Sequence, residues 1–111
     1  MIIAHYERRV LVTVNGHAPF TQWLESLENT ARYRVKTRLD RLKWGNFGGH
    51  KSVGDGVSEL RLPFGPGYRI YYGIIDREIV MLLTGGDKAK QQRDIATAKH
   101  LCQSYLERDK K

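Results

Sequence analysis

The sequence predicts an α+β domain: a small, twisted, mostly antiparallel sheet packed against a helical hairpin and a C-terminal helix. Three stretches carry that expectation. Residues 58–72 alternate with period 2 on either side of a Gly/Pro-rich turn, Pro63-Phe64-Gly65-Pro66-Gly67, as the two strands of a hairpin do. Residues 19–43 hold two consecutive apolar stripes at helical spacing, Phe20/Trp23/Leu24/Leu27 and Ala31/Val35/Leu39/Leu42. A third stripe, Ile95, Ala98, Leu101, Cys102, Tyr105 and Leu106, follows the short apolar run 79–83 and suits a last helix lying on the sheet or on a partner.

In chain order, residues 2–14 read as a strand that ends at the turn signal Asn15-Gly16. Its nearly continuous apolar run suits a strand covered on both faces. Pro19 fits the first turn of a helix, and Asn29 is placed to cap the next one. That second helix is strongly basic: Arg32, Arg34, Lys36, Arg38, Arg41 and Lys43 stand against Asp40 alone. A charged helix face is ordinarily a solvated face, but like charges one turn apart repel, so an anionic surface is expected nearby. Residues 45–57 hold five glycines (Gly45, Gly48, Gly49, Gly54, Gly56) around Lys51 and read as an ordered loop anchored by Phe47 and Val53. Gly-rich loops can cradle phosphate, although no Walker or dinucleotide spacing is present.

The hairpin then sets, in its simplest register, Glu59 opposite Tyr71, Arg61 opposite Arg69 and Leu62 opposite Tyr68. Asp76-Arg77 is a turn, 79–83 a central strand, and 84–88 a loop into the last helix with Asp87 as its N-cap. The tail 108–111 is expected to fray. The order is β-α-α-β-β-β-α in one domain spanning 1–111, the first strand running parallel to a later one if the helical hairpin is the crossover.

Composition narrows the functional classes. With 111 residues, a net charge of +7 and a pI near 9.8, the chain favours a polyanionic partner: nucleic acid, an acidic protein or an anionic surface. A single cysteine, Cys102, excludes an internal disulfide and a Cys-based zinc site, and on its apolar helical face it reads as core. The four histidines, His5, His17, His50 and His100, have no metal-ligand spacing. No apolar run is long enough to span a bilayer, which takes about 20 residues, and the N-terminus lacks the layout of a signal peptide. The expected setting is the cytoplasm, with neither metal nor membrane as partner.

The hairpin poses the functional question. Two arginines directly opposed beside a glutamate are unfavourable in a sheet, and an anionic ligand across Arg61 and Arg69 would relieve them. The plainer alternative is a surface ion-pair cluster of Glu59 with both arginines. Tyr68, Ile70 and Tyr72 read as core, Trp23 and Trp44 as packing residues, and the Gly85-Gly86-Asp87-Lys88 turn as a strand-to-helix connection whose helix N-terminus favours phosphate.

Several strings together resemble one family: Phe20-x-x-Trp23-Leu24, Gly45-Asn46-Phe47-Gly48, Lys51-x-Val53-Gly54-x-Gly56-Val57, Glu59-Leu60-Arg61, Gly65-Pro66-Gly67-Tyr68-Arg69-x-Tyr71-Tyr72 and Gly85-Gly86-Asp87-Lys88. The chain resembles the RelE/ParE toxin superfamily of bacterial toxin–antitoxin modules, and within it the HigB-like addiction-module killer proteins, also described as phage-derived Gp49-like. The resemblance spans about residues 18–100. It implies a compact RelE-like β-α-α-β-β-β domain and a cognate antitoxin, often a helix-turn-helix protein. For many members it implies mRNA cleavage on the ribosome without metal or other cofactor; for the ParE branch, poisoning of DNA gyrase. The proposed chemistry, attack of a ribose 2′-OH on the adjacent phosphate, needs a base, cations and an acid. By the resemblance, Arg69 stands at the phosphate-holding arginine and Arg61 where some members carry a catalytic lysine. Glu59 stands where some carry a carboxylate base, and Lys88 where others carry Arg, Lys or His. Lys51 assists electrostatically, and Tyr71 shares the polar face to stack on a base or position a proton. The sequence departs from members with a His or Tyr acid near the C-terminus; here Lys88 or Tyr71 would have to serve. His50 is close enough in sequence to Lys51 to reach the site, whereas His100 lies away from the motif.

Overall fold

A computed structural model describes residues 6–109. In chain order they form β1 (Glu7–Val10), α1 (Pro19–Ser26), α2 (Asn29–Leu42), β2 (His50–Gly54), β3 (Val57–Arg61), β4 (Arg69–Ile75), β5 (Ile79–Gly86), a 3-10 turn at Lys88–Lys90 and α3 (Gln91–Asp109). The strands make one sheet in the order β1-β5-β4-β3-β2. β1 runs parallel to β5 with α1 and α2 as the crossover, and every other pair is antiparallel. The α+β class and the parallel first strand are as expected.

One strand is added to the expected order and one boundary differs. Residues 50–54, expected within a loop, form β2. The signal lay in Asp55-Gly56, both at positive φ (55° and 78°), the two-residue hairpin turn which that dipeptide favours. β1 is shorter than the expected strand and lies at the sheet edge with all four residues exposed, so it is not covered on both faces. Residues 2–5 of the expectation lie outside the described residues.

The helices form where expected. Pro19 opens α1, and Ala31, Val35, Leu39 and Leu42 are the buried stripe of α2. Glu28, not Asn29, is the residue preceding α2, and neither helix has a side-chain cap. Arg32 instead donates from Nη2 to the Leu27 carbonyl at 2.9 Å, satisfying the C-terminal end of α1. Trp44 is 58% exposed, contrary to its expected packing role, and the Lys43 ammonium lies 5.4 Å from its ring centre.

Period-2 alternation sends the sheet's side chains into two cores. Leu60, Leu62, Ile70, Tyr72, Val80 and Leu82 pack with Phe20, Val35, Leu39 and Leu42 of α1 and α2. Val57, Tyr71, Ile75, Met81 and Leu83 pack with Ala98 and Cys102 of α3. Phe47 joins the first core, stacked on Tyr72 at 5.8 Å. α3 therefore covers the face that the sequence suggested was polar and open.

A bulge completes the arrangement. Tyr72 pairs with Leu82 but Tyr71 pairs with Thr84, leaving Leu83 as the extra residue. Alternation reverses beyond it, so Gly85 faces α1 and Gly86, opposite Arg69, faces α3. Neither glycine has room for a side chain. A Cβ on Gly85 would stand 2.2 Å from the Trp23 indole, and one on Gly86 would stand 1.9 Å from the Asp94 carboxylate. The Gly85-Gly86 pair is thus a packing requirement on both faces at once.

Candidate anion-binding site

The β3–β4 register is the simple one: Glu59 opposes Tyr71, Leu60 opposes Ile70 and Arg61 opposes Arg69. Leu62 N–H donates to the Tyr68 carbonyl at 2.9 Å, closing the hairpin. Directly opposed residues share a face, so both arginines point the same way at the end of the sheet, yet Arg61 is exposed while Arg69 is only 8% exposed.

Arg69 is held from two sides. Its Nη1 donates to the Gly67 carbonyl at 2.7 Å, a fold-back that needs the bare backbone of Gly67 at φ +80°. Its Nε lies 3.6 Å from Glu59 Oε2, an ion-pair contact rather than a hydrogen bond, since Nε has no hydrogen-bond partner among the described residues. Glu59 Oε2 also accepts from the Tyr71 hydroxyl at 3.0 Å and from Gln91 Nε2 at 2.9 Å. Glu59 and Tyr71 are fully buried. Burial, then the Glu59 charge and hydrogen bond, push the Tyr71 phenol far above its ordinary value, so it stays a donor. Behind them lies Asp94, buried, with one carboxylate oxygen lacking a hydrogen-bond partner. Desolvation raises its pKa, and Arg93 offsets that in part.

In front of Arg69 opens a cavity of about 630 Å³, lined by Arg38, Arg41, Asn46, Arg61, Tyr68 and Arg69 among others. Arg38 donates to the carbonyls of Asn46 (3.2 Å) and Gly48, and so ties α2 to the 46–48 turn. Burial, and then the like charge of Arg41, lower the Arg38 pKa. Four arginines and, among the described residues, no carboxylate line this cavity, a lining that suits an anion. Arginine's planar fork matches the paired oxygens of a phosphodiester.

The structure therefore brings Arg61 and Arg69 together, as expected, and adds Arg38 and Arg41. The basic helix was legible in the sequence, but its convergence on the hairpin was not. Glu59 and Tyr71 sit behind the arginines under α3 and not on an open polar face, which corrects that expectation. A base must touch its proton donor, and the Glu59 carboxylate is sealed from the cavity side. Tyr71 has no exposed ring on which a base could stack. Lys51 lies opposite Glu59 in β2, exposed, and does not line the cavity. Lys88 is exposed on the loop whose backbone N–H meets the Pro66 carbonyl at 3.4 Å, and it lines a neighbouring recess with Lys90 and Arg93. Asp87 precedes the 3-10 turn without a side-chain cap bond. Gln91 and Asp94 carried no signal in the sequence beyond their place at the start of a helix. Among the described residues no three His, Cys, Asp or Glu side chains come together as a metal site, and no helix is long and apolar enough to cross a membrane.

No family model matches the chain. Its fold is that of the Escherichia coli toxin RelE, solved as a mutant in the free state, with a TM-score of 0.57 and 19% identity over 94% of this chain and 97% of that one. A Haemophilus influenzae protein described as uncharacterized is 47% identical over 85 residues, which is 76% of this chain and 86% of the relative. The chain belongs to one family with that Haemophilus influenzae protein, and its fold is RelE-like.

Proposed function

We propose that this protein is the toxin of a toxin–antitoxin module, of the HigB-like, Gp49-like kind, and that it cleaves mRNA on the ribosome without metal. The observation that carries the reading is that Arg38, Arg41, Arg61 and Arg69 line one cavity at the turn end of the hairpin. A scissile phosphate lies across Arg61 and Arg69: the 2′-oxygen attacks phosphorus and gives up its proton to water or a ribosomal group, the bond from phosphorus to the 5′-oxygen breaks and that oxygen takes up a proton, and the guanidiniums stabilise the charge that develops. Glu59 positions Arg69 by ion pairing, while Tyr71 and Gln91 hold Glu59. Lys88 and Lys51, which do not line the cavity, add positive potential at its margin. A helix-turn-helix antitoxin is the expected protein partner, and the basic surface of α2 faces ribosomal RNA.

The test is induced expression with mapping of mRNA 5′ ends. Wild-type protein should arrest growth and produce codon-associated cuts, and Arg69→Ala should do neither while keeping the wild-type circular dichroism spectrum, although its thermal midpoint falls because the buried Glu59 carboxylate loses its ion pair. A folded Arg69→Ala variant that remains toxic overturns the assignment. One observation favours a second reading, a non-cleaving inhibitor such as a gyrase poison: among the described residues no His, Asp, Glu or Lys side chain lines the cavity to serve as a general base or acid. DNA damage without mRNA cuts would select it.

A further inference from the structure

Beside the arginine cavity lies a second, smaller one of about 260 Å³, lined by Tyr33, Arg34, Thr37, Arg38, Arg41, Leu62, Pro63 and Phe64. It shares Arg38, Arg41, Leu62 and Pro63 with its neighbour, so the two form one continuous surface. Their linings differ in kind. The first is a ring of cations; the second is walled by two aromatic rings and a proline. The Arg34 guanidinium carbon lies 4.0 Å from the Phe64 ring centre, which fixes the guanidinium over that ring. Tyr33 is 72% exposed at the rim.

An exposed tyrosine beside a planar guanidinium seated on a phenyl ring is poorly explained by the core. Phe64 belongs to the first core's margin, but Tyr33 packs in neither core. Flat, weakly hydrated faces next to a phosphate site are what single-stranded nucleic acid needs, since bases stack on aromatic rings and on arginine planes while the backbone follows the positive charge. Size agrees. Pockets for drug-sized ligands run from about 300 to 1,000 Å³; the arginine cavity falls in that range and this one just below it, so it suits a single ring system rather than a whole nucleotide.

The geometry points to a nucleobase subsite formed by Tyr33, Arg34 and Phe64, which takes one unpaired base of an RNA strand whose phosphate occupies the arginine cavity. This rests on the phosphate reading of that cavity and extends it: the substrate is single-stranded, and one base next to the bound phosphate is gripped by stacking rather than by edge hydrogen bonds. The subsite therefore tolerates any base and prefers purines, which offer the larger face.

The experiment uses two fluorescein-labelled 2′-O-methyl tetranucleotides, uncleavable because the attacking hydroxyl is blocked. One carries four adenines; the other is abasic throughout, with the same number of phosphates. Binding is read by anisotropy. Wild-type protein should bind the adenine oligomer about ten-fold more tightly, as expected from one stacked base. Tyr33→Ala, and Arg34→Lys, which keeps the charge but loses the plane, should each cut that preference several-fold while leaving abasic binding unchanged. Both positions are exposed, so the fold should survive. Equal wild-type affinity for the two oligomers overturns the subsite and leaves the arginine cavity standing. An adenine preference that both variants retain also overturns it, because the base then stacks elsewhere. Failure to bind either oligomer overturns the phosphate reading, and the subsite with it.

Discussion

The two faces of the sheet are built from the same alternating strands, yet they end up with different jobs. The face under α1 and α2 is apolar to its end: Leu60, Leu62, Ile70 and Tyr72 meet Phe20, Val35 and Leu42, and Trp23 seals the edge against Gly85. The face under α3 is apolar only over half its length. Past Val57, Met81 and Leu83 it turns into Glu59, Tyr71, Arg69, Gln91 and Asp94. The first face holds the molecule together; the second spends part of its burial on keeping one arginine still. Polar groups are buried without loss only when partnered. Glu59 Oε1 and an Asp94 oxygen have no hydrogen-bond partner among the described residues, as befits a face that trades stability for a positioned cation.

Mutations that strike one face at a time sharpen this contrast. The largest stability effect is expected from Leu60→Ala, which opens a cavity under the helical hairpin and should cost about 2–5 kcal/mol by urea denaturation. An intact midpoint would mean that this face is not the main core. Next comes Gly85→Ala, whose new methyl meets a rigid indole and should cost about 1–3 kcal/mol. Gly86→Ala should cost less, because the obstructing group is the Asp94 carboxylate, which can swing aside. If Gly86→Ala proves the worse of the two, the polar face is packed as tightly as the apolar one. Glu59→Gln keeps shape and the bonds from Tyr71 or Gln91 but loses the ion pair to Arg69. Growth inhibition should fall at least ten-fold, with a loss of stability on the order of 1 kcal/mol. Full toxicity in that variant would show that Arg69 needs no such anchor.

The smallest effect is a pH dependence. The Asp94 pKa is raised in the folded protein, chiefly by desolvation, so the fold prefers its protonated form. That contribution is fully present below the unfolded carboxyl value of about 4 and is lost as pH rises through the raised folded value. Asp94→Asn should therefore gain stability relative to wild type between pH 4 and pH 8. A difference in urea midpoints that stays constant across that range would show that the carboxyl is solvated.

How much of this was legible in the sequence follows from what local patterns report. Period 2 around a five-residue turn gave the register that sets Arg61 against Arg69, and 3.6-residue spacing named the buried residues of α2 outright. Asp55-Gly56 marked β2 as well, but the glycines around it read as a loop. The error about Glu59 and Tyr71 was of another kind. Alternation says which residues share a face and is silent on what covers it, and α3 lies more than thirty residues downstream of Glu59. Likewise the six cations of residues 32–43 read as one undivided surface. In the fold they have separate tasks: Arg32 ends α1, Arg34 sits on Phe64, Arg38 holds the 46–48 turn, and Arg38 with Arg41 faces the cavity.

The sequence by itself determined the helices, the strands other than β2, the hairpin register and the excess of positive charge, because each depends on residues within a few positions of one another. Only the tertiary structure decided which charges meet. Convergence of Arg38 and Arg41 with Arg61 and Arg69 requires the α2–β2 turn to bring a helix to the end of a hairpin. Seclusion of Glu59 requires the last helix to fold back over β3, β4 and β5. Both are contacts between distant segments, fixed by packing two apolar faces at once and not by any local preference.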